Sequence, residues 1–402
     1  MDITIHPRPL RGEITVIPSK SQAHRLLICA AFADKPTQLI CPETNRDIEA
    51  TADCLTALGA AIHHTDTGYI VYPITQLPDQ AVLNCCESGS TLRFLLPIAG
   101  ALGVDTTFLM EGRLPQRPLS PLWEEMERMG CHLNRPTADS IHCTGKLIPG
   151  EYRIDGGVSS QYITGLLLAL NLLEGESSLT ITGKIESKPY IQLTKDAISL
   201  FSADPEHPGI ARFRSPGYLN VEGDWSNGAF FLVADALCSK ASMHSNLTIH
   251  GLNNTSSQGD RAIVEILPLI KKGAPTICAS DIPDLIPILS VMAACHHGAV
   301  FTNIQRLRLK ESDRVCAVIH MIRNLGGKAE ASEETLTVYG TGLTGGIVDA
   351  MNDHRIAMSA AIAACVCTED VHILGAQCVK KSYPRFWEEY SRLGGKYEQY
   401  LR

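Results

Sequence analysis

Glu87-Ser88-Gly89-Ser90-Thr91-Leu92-Arg93 runs straight into Phe94-Leu95-Leu96-Pro97-Ile98-Ala99-Gly100-Ala101-Leu102, a small polar turn feeding an apolar helix. The turn residues let the backbone approach an anion closely, and the apolar stretch behind them predicts a helix buried on all sides. The same pattern recurs at helix starts near Ser21, Ser160, Asn227, Leu285 and His354. With Gly89 these positions differ by 68, 71, 67, 58 and 69 residues, which marks an internal repeat. Each buried helix begins with unsatisfied N–H groups and the positive end of its dipole, where phosphate or carboxylate prefers to sit. Lys20, Arg25, Arg93, Ser159, Gln161 and Arg355 lie at these starts or within the following turns. The chain therefore reads as built to collect negative charge.

A second series supports the first. Leu58-Gly59, Met129-Gly130, Leu325-Gly326 and Leu393-Gly394 each close an amphipathic stretch and predict glycine C-caps. Ala61 to Tyr72, His132 to Cys143 and Lys328 to Val338 predict short, solvent-facing strands. Dividing 402 residues by six gives about 67 per unit, room for two helices and three or four strands. Three units make one domain and six make two. The seam falls near Val221-Glu222-Gly223-Asp224, giving one domain over residues 19–224 and a discontinuous one over 1–18 and 225–402. The opening strand Ile3 to His6 is expected to pair with the second half.

The charge balance narrows the ligand. Lys plus Arg number 35 against 43 Asp plus Glu, a net charge of −8, so the cations are a local exception on an acidic chain. A nucleic-acid surface is disfavoured, and a small polyanion held by a few converging cations fits better. Apolar runs such as Gly165 to Leu173 are core-helix sized, and Met1-Asp2-Ile3-Thr4 has no leader character, so a cytoplasmic protein without membrane attachment is expected. The 14 cysteines show no zinc spacing and read as reduced, buried thiols.

Single motifs are ambiguous. Ser19-Lys20-Ser21-Gln22-Ala23-His24-Arg25 suits a capped helix start, yet two cations there oppose the helix dipole, and an anion would remove that conflict. Ser159-Ser160-Gln161 offers hydroxyls and an amide, or simply an N-cap pair. Ser187-Lys188-Pro189-Tyr190 reads as an extended turn, with Pro directing it. Arg113-Leu114-Pro115-Gln116-Arg117-Pro118 places Arg117 in a stiffened loop. Lys310-Glu311-Ser312-Asp313-Arg314 is either a solvated charge run or a carboxylate flanked by cations, suited to moving a proton. Asn352-Asp353-His354-Arg355 opens another apolar helix, with His354 read as structural.

In combination and in order, these motifs, with Asp224, Gln258-Gly259-Asp260, Pro283-Asp284 and Lys381-Ser382-Tyr383-Pro384, resemble the 5-enolpyruvylshikimate-3-phosphate synthases of the enolpyruvyl transferase family. The resemblance implies a two-domain inside-out α/β barrel, six βαβαββ repeats with buried helices pointing their N-termini at the inter-domain cleft. It implies that shikimate 3-phosphate is bound by Lys20, Ser21, Arg25, Ser159, Ser160, Gln161, Ser187, Tyr190, Asp284 and Lys310. Phosphoenolpyruvate would be held by Lys20, Gly89, Arg93, Arg117, Gln161, Arg314, Arg355 and Lys381, with Asp284, Glu311 and Lys20 moving protons. It implies no cofactor, no metal and a monomer. Two departures stand out: Glu87-Ser88, where many relatives have Asn-Ala, bears on affinity for phosphoenolpyruvate or glyphosate, and Arg306 replaces a common Asn. The rival readings are the enolpyruvyl transferase acting on a UDP-amino sugar, whose Lys-Asn start and loop cysteine this chain lacks, and a non-catalytic anion-binding relative.

Overall fold

The computed structural model describes residues 1–201, 212–240 and 247–400. Among them, twelve α-helices alternate in character. They are α1 (Lys20–Ala31), α2 (Arg46–Ala57), α3 (Gly89–Leu102), α4 (Leu122–Arg128), α5 (Ser160–Leu170), α6 (Lys188–Leu200), α7 (Trp225–Lys240), α8 (Ile263–Lys272), α9 (Ile286–Cys295), α10 (Arg314–Asn324), α11 (His354–Ala363) and α12 (Phe386–Arg392). The odd-numbered helices are the apolar members of the repeat: every residue of α11 is buried, as are nine of the ten in α9. The even-numbered ones bury a stripe, as α10 does with Val315, Val318 and Ile322.

Each helix start has a local cause. Side chains of Ser19, Ser88, Ser159 and Asp353 accept first-turn N–H groups from Gln22, Thr91, Gln161 and Arg355. Glycine ends the amphipathic helices: Gly59, Gly130, Gly326 and Gly394 have φ of 109°, 107°, 85° and 92°, in the left-handed region. At Gly59 and Gly130 a Cβ would also lie 2.6 Å from the carbonyl oxygens of Gln76 and Lys146.

The chain forms two compact units, Met1–Ile17 with Gly223–Arg402, and Pro18–Glu222. Each has its own apolar core. In the second, Gln80–Asn84 runs parallel to Asp105–Leu109 across α3, and Cys131–Asn134 and Ser140–Gly145 complete an antiparallel hairpin. That is one full βαβαββ repeat. Tyr218–Asn220, Thr37–Ile40, Gly68–Tyr72 and Ala61–Thr65 build a sheet of the same order.

The discontinuous unit holds two more four-stranded sheets. One contains Asp2–His6, antiparallel to both Val371–Leu374 and Lys396–Tyr400, so the N-terminal strand does pair with the C-terminal half. The six repeats are not equal copies among the described residues. The other two sheets have two strands each, Glu151–Asp155 with Ser178–Thr182 and Gly12–Thr15 with Leu247–His250.

Two further expectations are corrected. The hairpin strands face solvent only in part: Tyr69, Val71, Leu336 and Val338 are buried, because alternate side chains of those strands enter the core. The cysteines are all free thiols, but Cys278 and Cys316 are exposed. No helix among the described residues is long and apolar enough to cross a membrane.

Candidate active site

In the Pro18–Glu222 unit, α1 carries Arg25 inward to α5 and α6. Its Nε donates to Thr194 Oγ1 at 2.9 Å, and Nη2 donates to Thr164 Oγ1 and the Tyr190 carbonyl, both at 3.1 Å. Nη1 donates to the Ser21 carbonyl, and the guanidinium faces the Phe94 ring at 5.0 Å. Arg25 is 2 % exposed and all these acceptors are neutral. Burial lowers its pKa to about 10, so it stays charged at neutral pH.

At the start of α3, two more guanidinium groups converge. A Cβ on Gly89 would lie 2.6 Å from Arg93 Nη1 and 2.7 Å from Arg117 Nη1, so only glycine admits both cations to this helix start. Arg93 Nη1 donates to Gln161 Oε1 at 3.0 Å, and Gln161 Nε2 donates to Ser90 Oγ at 3.0 Å, which fixes the amide. Arg93 Nη2 donates to the Pro118 carbonyl. Ser159 caps α5, Ser160 is its buried first residue, and Lys20 Nζ lies 2.9 Å from Asp47 Oδ2. Asp47 belongs to the first turn of α2, so Lys20 is charge-compensated by a residue that sequence reasoning left aside.

Lys188-Pro189-Tyr190 opens the first turn of α6, with Ser187 just before it, so the segment is not an extended turn. Proline is tolerated there because the N–H it lacks would have no intrahelical partner. Ser187 precedes the helix with φ of 55°, and its carbonyl accepts the Tyr190 N–H at 3.1 Å. A buried hydroxyl chain was also missed. His24 Nδ1 meets Thr51 Oγ1, Thr51 meets Thr91, and Thr91 donates to Ser88 Oγ, each at 2.7 Å. Burial, then Lys20 and Arg25, hold His24 well below its usual pKa, so the ring is neutral.

In the other unit, Arg314 is the hub of the Lys310–Arg314 segment. Asp313 caps α10 through the Cys316 N–H, which matches the helix-start reading, but Arg314 itself is 1 % exposed. Its Nε donates to Asp353 Oδ2 at 3.0 Å, Nη1 to Asp284 Oδ1 at 2.7 Å and Nη2 to Glu311 Oε2 at 2.7 Å. Asp353 also accepts from Ser312 Oγ at 2.9 Å. The expected proton carriers Asp284 and Glu311 are thus brought together by an arginine that the resemblance assigned to phosphoenolpyruvate.

Arg355 Nη2 lies 3.5 Å and Lys310 Nζ 3.9 Å from Asp284. Burial alone would raise Asp284, but Arg355, Lys310 and Arg314 hold it well below the usual carboxylate range. Burial lowers Lys310 to about 8, with Asp284 opposing. Lys381 Nζ donates to the Asn352 carbonyl at 3.1 Å, beside the start of α11. Arg306 lies in the 3-10 turn Gln305–Leu309.

Cations gathered at helix starts in one unit, and a knot of cations and carboxylates in the other, give this α/β protein side-chain arrangements suited to small anions. The chain belongs to the EPSP synthase (3-phosphoshikimate 1-carboxyvinyltransferase) family, matching it over residues 5–390. The 3-phosphoshikimate 1-carboxyvinyltransferase of Clostridium kluyveri is 36 % identical over 425 residues, covering 99 % of this chain and 98 % of that one. Its counterpart in Clostridioides difficile is 35 % identical over 436 residues, covering 99 % and 98 %. An EPSP synthase structure from Acinetobacter baumannii superposes with a TM-score of 0.79 at 20 % identity, over all of both chains. The enolpyruvyl transferase NikO from Streptomyces tendae gives 0.75 at 16 %, over 99 % and 98 %. These two likenesses concern the fold alone.

Proposed function

We propose that this chain transfers the enolpyruvyl group of phosphoenolpyruvate to the 5-hydroxyl of shikimate 3-phosphate, releasing phosphate. The observation that carries the reading is the meeting of Arg93 and Arg117 over Gly89, two cations beside the positive end of a helix. Two guanidiniums at the positive end of a helix favour an anion at that position. Phosphoenolpyruvate supplies carboxylate and phosphate for Arg93, Arg117, Lys20, Gln161, Arg355 and Lys381. Shikimate 3-phosphate meets Ser21, Arg25, Ser159, Ser160, Gln161, Ser187, Tyr190 and Lys310.

The substrate hydroxyl attacks C2 of phosphoenolpyruvate as C3 gains a proton, giving a tetrahedral adduct. Loss of phosphate and of a C3 proton restores the enol ether. Asp284 accepts the hydroxyl proton, and Glu311 with Lys20 serves C3. Arg314 assists less as a ligand than as the group that orders both carboxylates, because its donors are already committed. Asp284, held ionised by its cations, becomes a better base when substrate anions draw Arg355 and Lys310 toward themselves. Fixed cations stabilise the charge that develops.

The protein is proposed to act as a cytoplasmic monomer, which sedimentation and cell fractionation would test. Phosphate release from shikimate 3-phosphate plus phosphoenolpyruvate tests the reaction. Turnover is expected. Turnover only with a UDP-amino sugar, or anion binding without turnover, would overturn the assignment.

A further inference from the structure

Gln258-Gly259-Asp260 belongs to the ordered motifs of the sequence yet has no task in the scheme above. It packs against the first turn of α7. Gln258 Oε1 accepts the Trp225 N–H at 3.0 Å while its Nε2 donates to the Gly223 carbonyl at 2.9 Å, so one amide grips both sides of the helix start. Asp224 caps the same turn through the Asn227 N–H at 2.8 Å. Asp260 takes the next residue, accepting the Ser226 hydroxyl on Oδ2. Its Oδ1 is buried without a hydrogen-bond partner, and the residue is 2 % exposed.

Ser226 also faces the site. Its carbonyl accepts Arg355 Nη1 at 3.4 Å, and Arg355 Nη2 lies 3.5 Å from Asp284 Oδ2. Three carboxyl groups from separate segments therefore bear on Arg355: Asp224 before α7, Asp260 after Gln258, and Asp284 before α9. Among the described residues Arg355 pairs directly only with Asp284. A buried carboxylate with one oxygen unpartnered is costly as an anion and far less so as a neutral acid.

We propose that Asp260 is a positioning residue that, through Ser226, sets how Arg355 is shared between Asp284 and an incoming anionic substrate. When neutral it leaves Arg355 to Asp284 and the substrate. When ionised it adds a competing negative charge. Burial first and Asp284 second push the Asp260 carboxyl up to about 7, with Arg355 and the Ser226 hydroxyl opposing and Asp224 adding to the rise. The switch therefore falls in the neutral range. The proposal rests on the function inferred above.

The test compares the full chain with Asp260→Asn and Ser226→Ala in phosphate-release assays across the neutral range. In the unaltered protein, KM for phosphoenolpyruvate should rise about five- to tenfold as pH increases, from one added charge near Arg355, while kcat changes less. Asp260→Asn, which cannot ionise, should keep the low-pH KM throughout. Ser226→Ala removes a hydrogen bond that favours the anion, so it should move the step to higher pH. An unchanged step in both variants would overturn the proposal, as would parallel losses of kcat, affinity and melting temperature at every pH. If Asp260→Asn does not fold, the displaced step in Ser226→Ala decides. Infrared titration gives a readout independent of turnover: a protonated carboxyl band should vanish across the same range and be missing in Asp260→Asn. Absence of that band in the unaltered protein also refutes the proposal. A chain that shows the band but releases no phosphate would instead refute the functional reading.

Discussion

Arg25 and Arg314 are both buried guanidinium groups, one in each unit, and their surroundings are opposite. Arg25 rests on two threonine hydroxyls and two backbone carbonyls, and burial pulls its pKa down to about 10. Arg314 is gripped by Asp284, Glu311 and Asp353, whose attraction outweighs burial and pushes its pKa up. The first arginine keeps an uncompensated charge, held in place by dipoles. The second spends its charge on ordering carboxylates. One half of the molecule is thus prepared to attract anions and the other to arrange groups that exchange protons.

The sharpest way to break this contrast is to remove each guanidinium and compare stabilities. Arg314→Met leaves three carboxylates without their common partner, and breaking a buried charge network in this way costs about 3–5 kcal/mol. Arg25→Met loses hydrogen bonds from a charged donor to neutral acceptors, but that loss is offset in large part by release of a buried charge that has no carboxylate partner. Denaturant unfolding should therefore show the larger loss for Arg314→Met, whereas calorimetry should show lost shikimate 3-phosphate binding for Arg25→Met. Equal destabilisation would erase the distinction.

Replacing the carboxylates tests the same knot from its other side. Loss of a positioned proton carrier lowers rates about 10²–10⁴-fold. Asp284→Ala should lower turnover and weaken shikimate 3-phosphate binding, while Glu311→Ala should mainly suppress solvent-deuterium entry at C3 of phosphoenolpyruvate. Undiminished deuterium incorporation in Glu311→Ala would reassign that role. Gly89→Ala acts on the cationic half: its Cβ meets the ends of two flexible side chains, so the fold should survive. Displaced guanidiniums should raise KM for phosphoenolpyruvate by about 10²-fold, the order expected from a misplacement of about 1 Å. An unaltered KM would remove Arg93 and Arg117 from the proposed site.

The helix starts were legible in the sequence because the contrast between a polar turn and an apolar run is local. Ser19, Ser88, Ser159 and Asp353 needed only neighbours three or fewer residues away to cap their helices. What those starts hold was less legible. Thr164 and Thr194 lie 139 and 169 residues from Arg25, and nothing in a lone threonine announces such a partner. Asp353 stands at a helix start legible in the sequence and caps it, but its second task on Arg314 depends on packing of α10 against α11. Asp260 stood in a motif without a role because its partner Ser226 sits across a turn that only the fold brings near. The Ser187 turn misled for a different reason: proline marks both extended turns and first helical turns.

The smallest expected effects concern the neutral chain that accompanies the cationic half. His24, Thr51, Thr91 and Ser88 link α1, α2 and α3 by hydroxyl and imidazole contacts without a formal charge. Ser88→Ala removes the α3 cap and should cost about 1 kcal/mol, while Thr51→Ser should cost less than Thr51→Val because it keeps the central hydroxyl. His24 adds a pH signature. Its folded pKa lies below the unfolded one, so the unfolded chain binds the extra proton first as pH falls below about 6.5. Stability attributable to His24 is therefore fully present above that point and declines toward acid pH, by at most about 1.4 kcal/mol per pH unit. His24→Gln retains a polar side chain and cannot titrate. Denaturant unfolding at a series of pH values should show a shallower acid decline for the variant than for the unaltered chain. Equal slopes would mean that His24 is not held neutral in the fold.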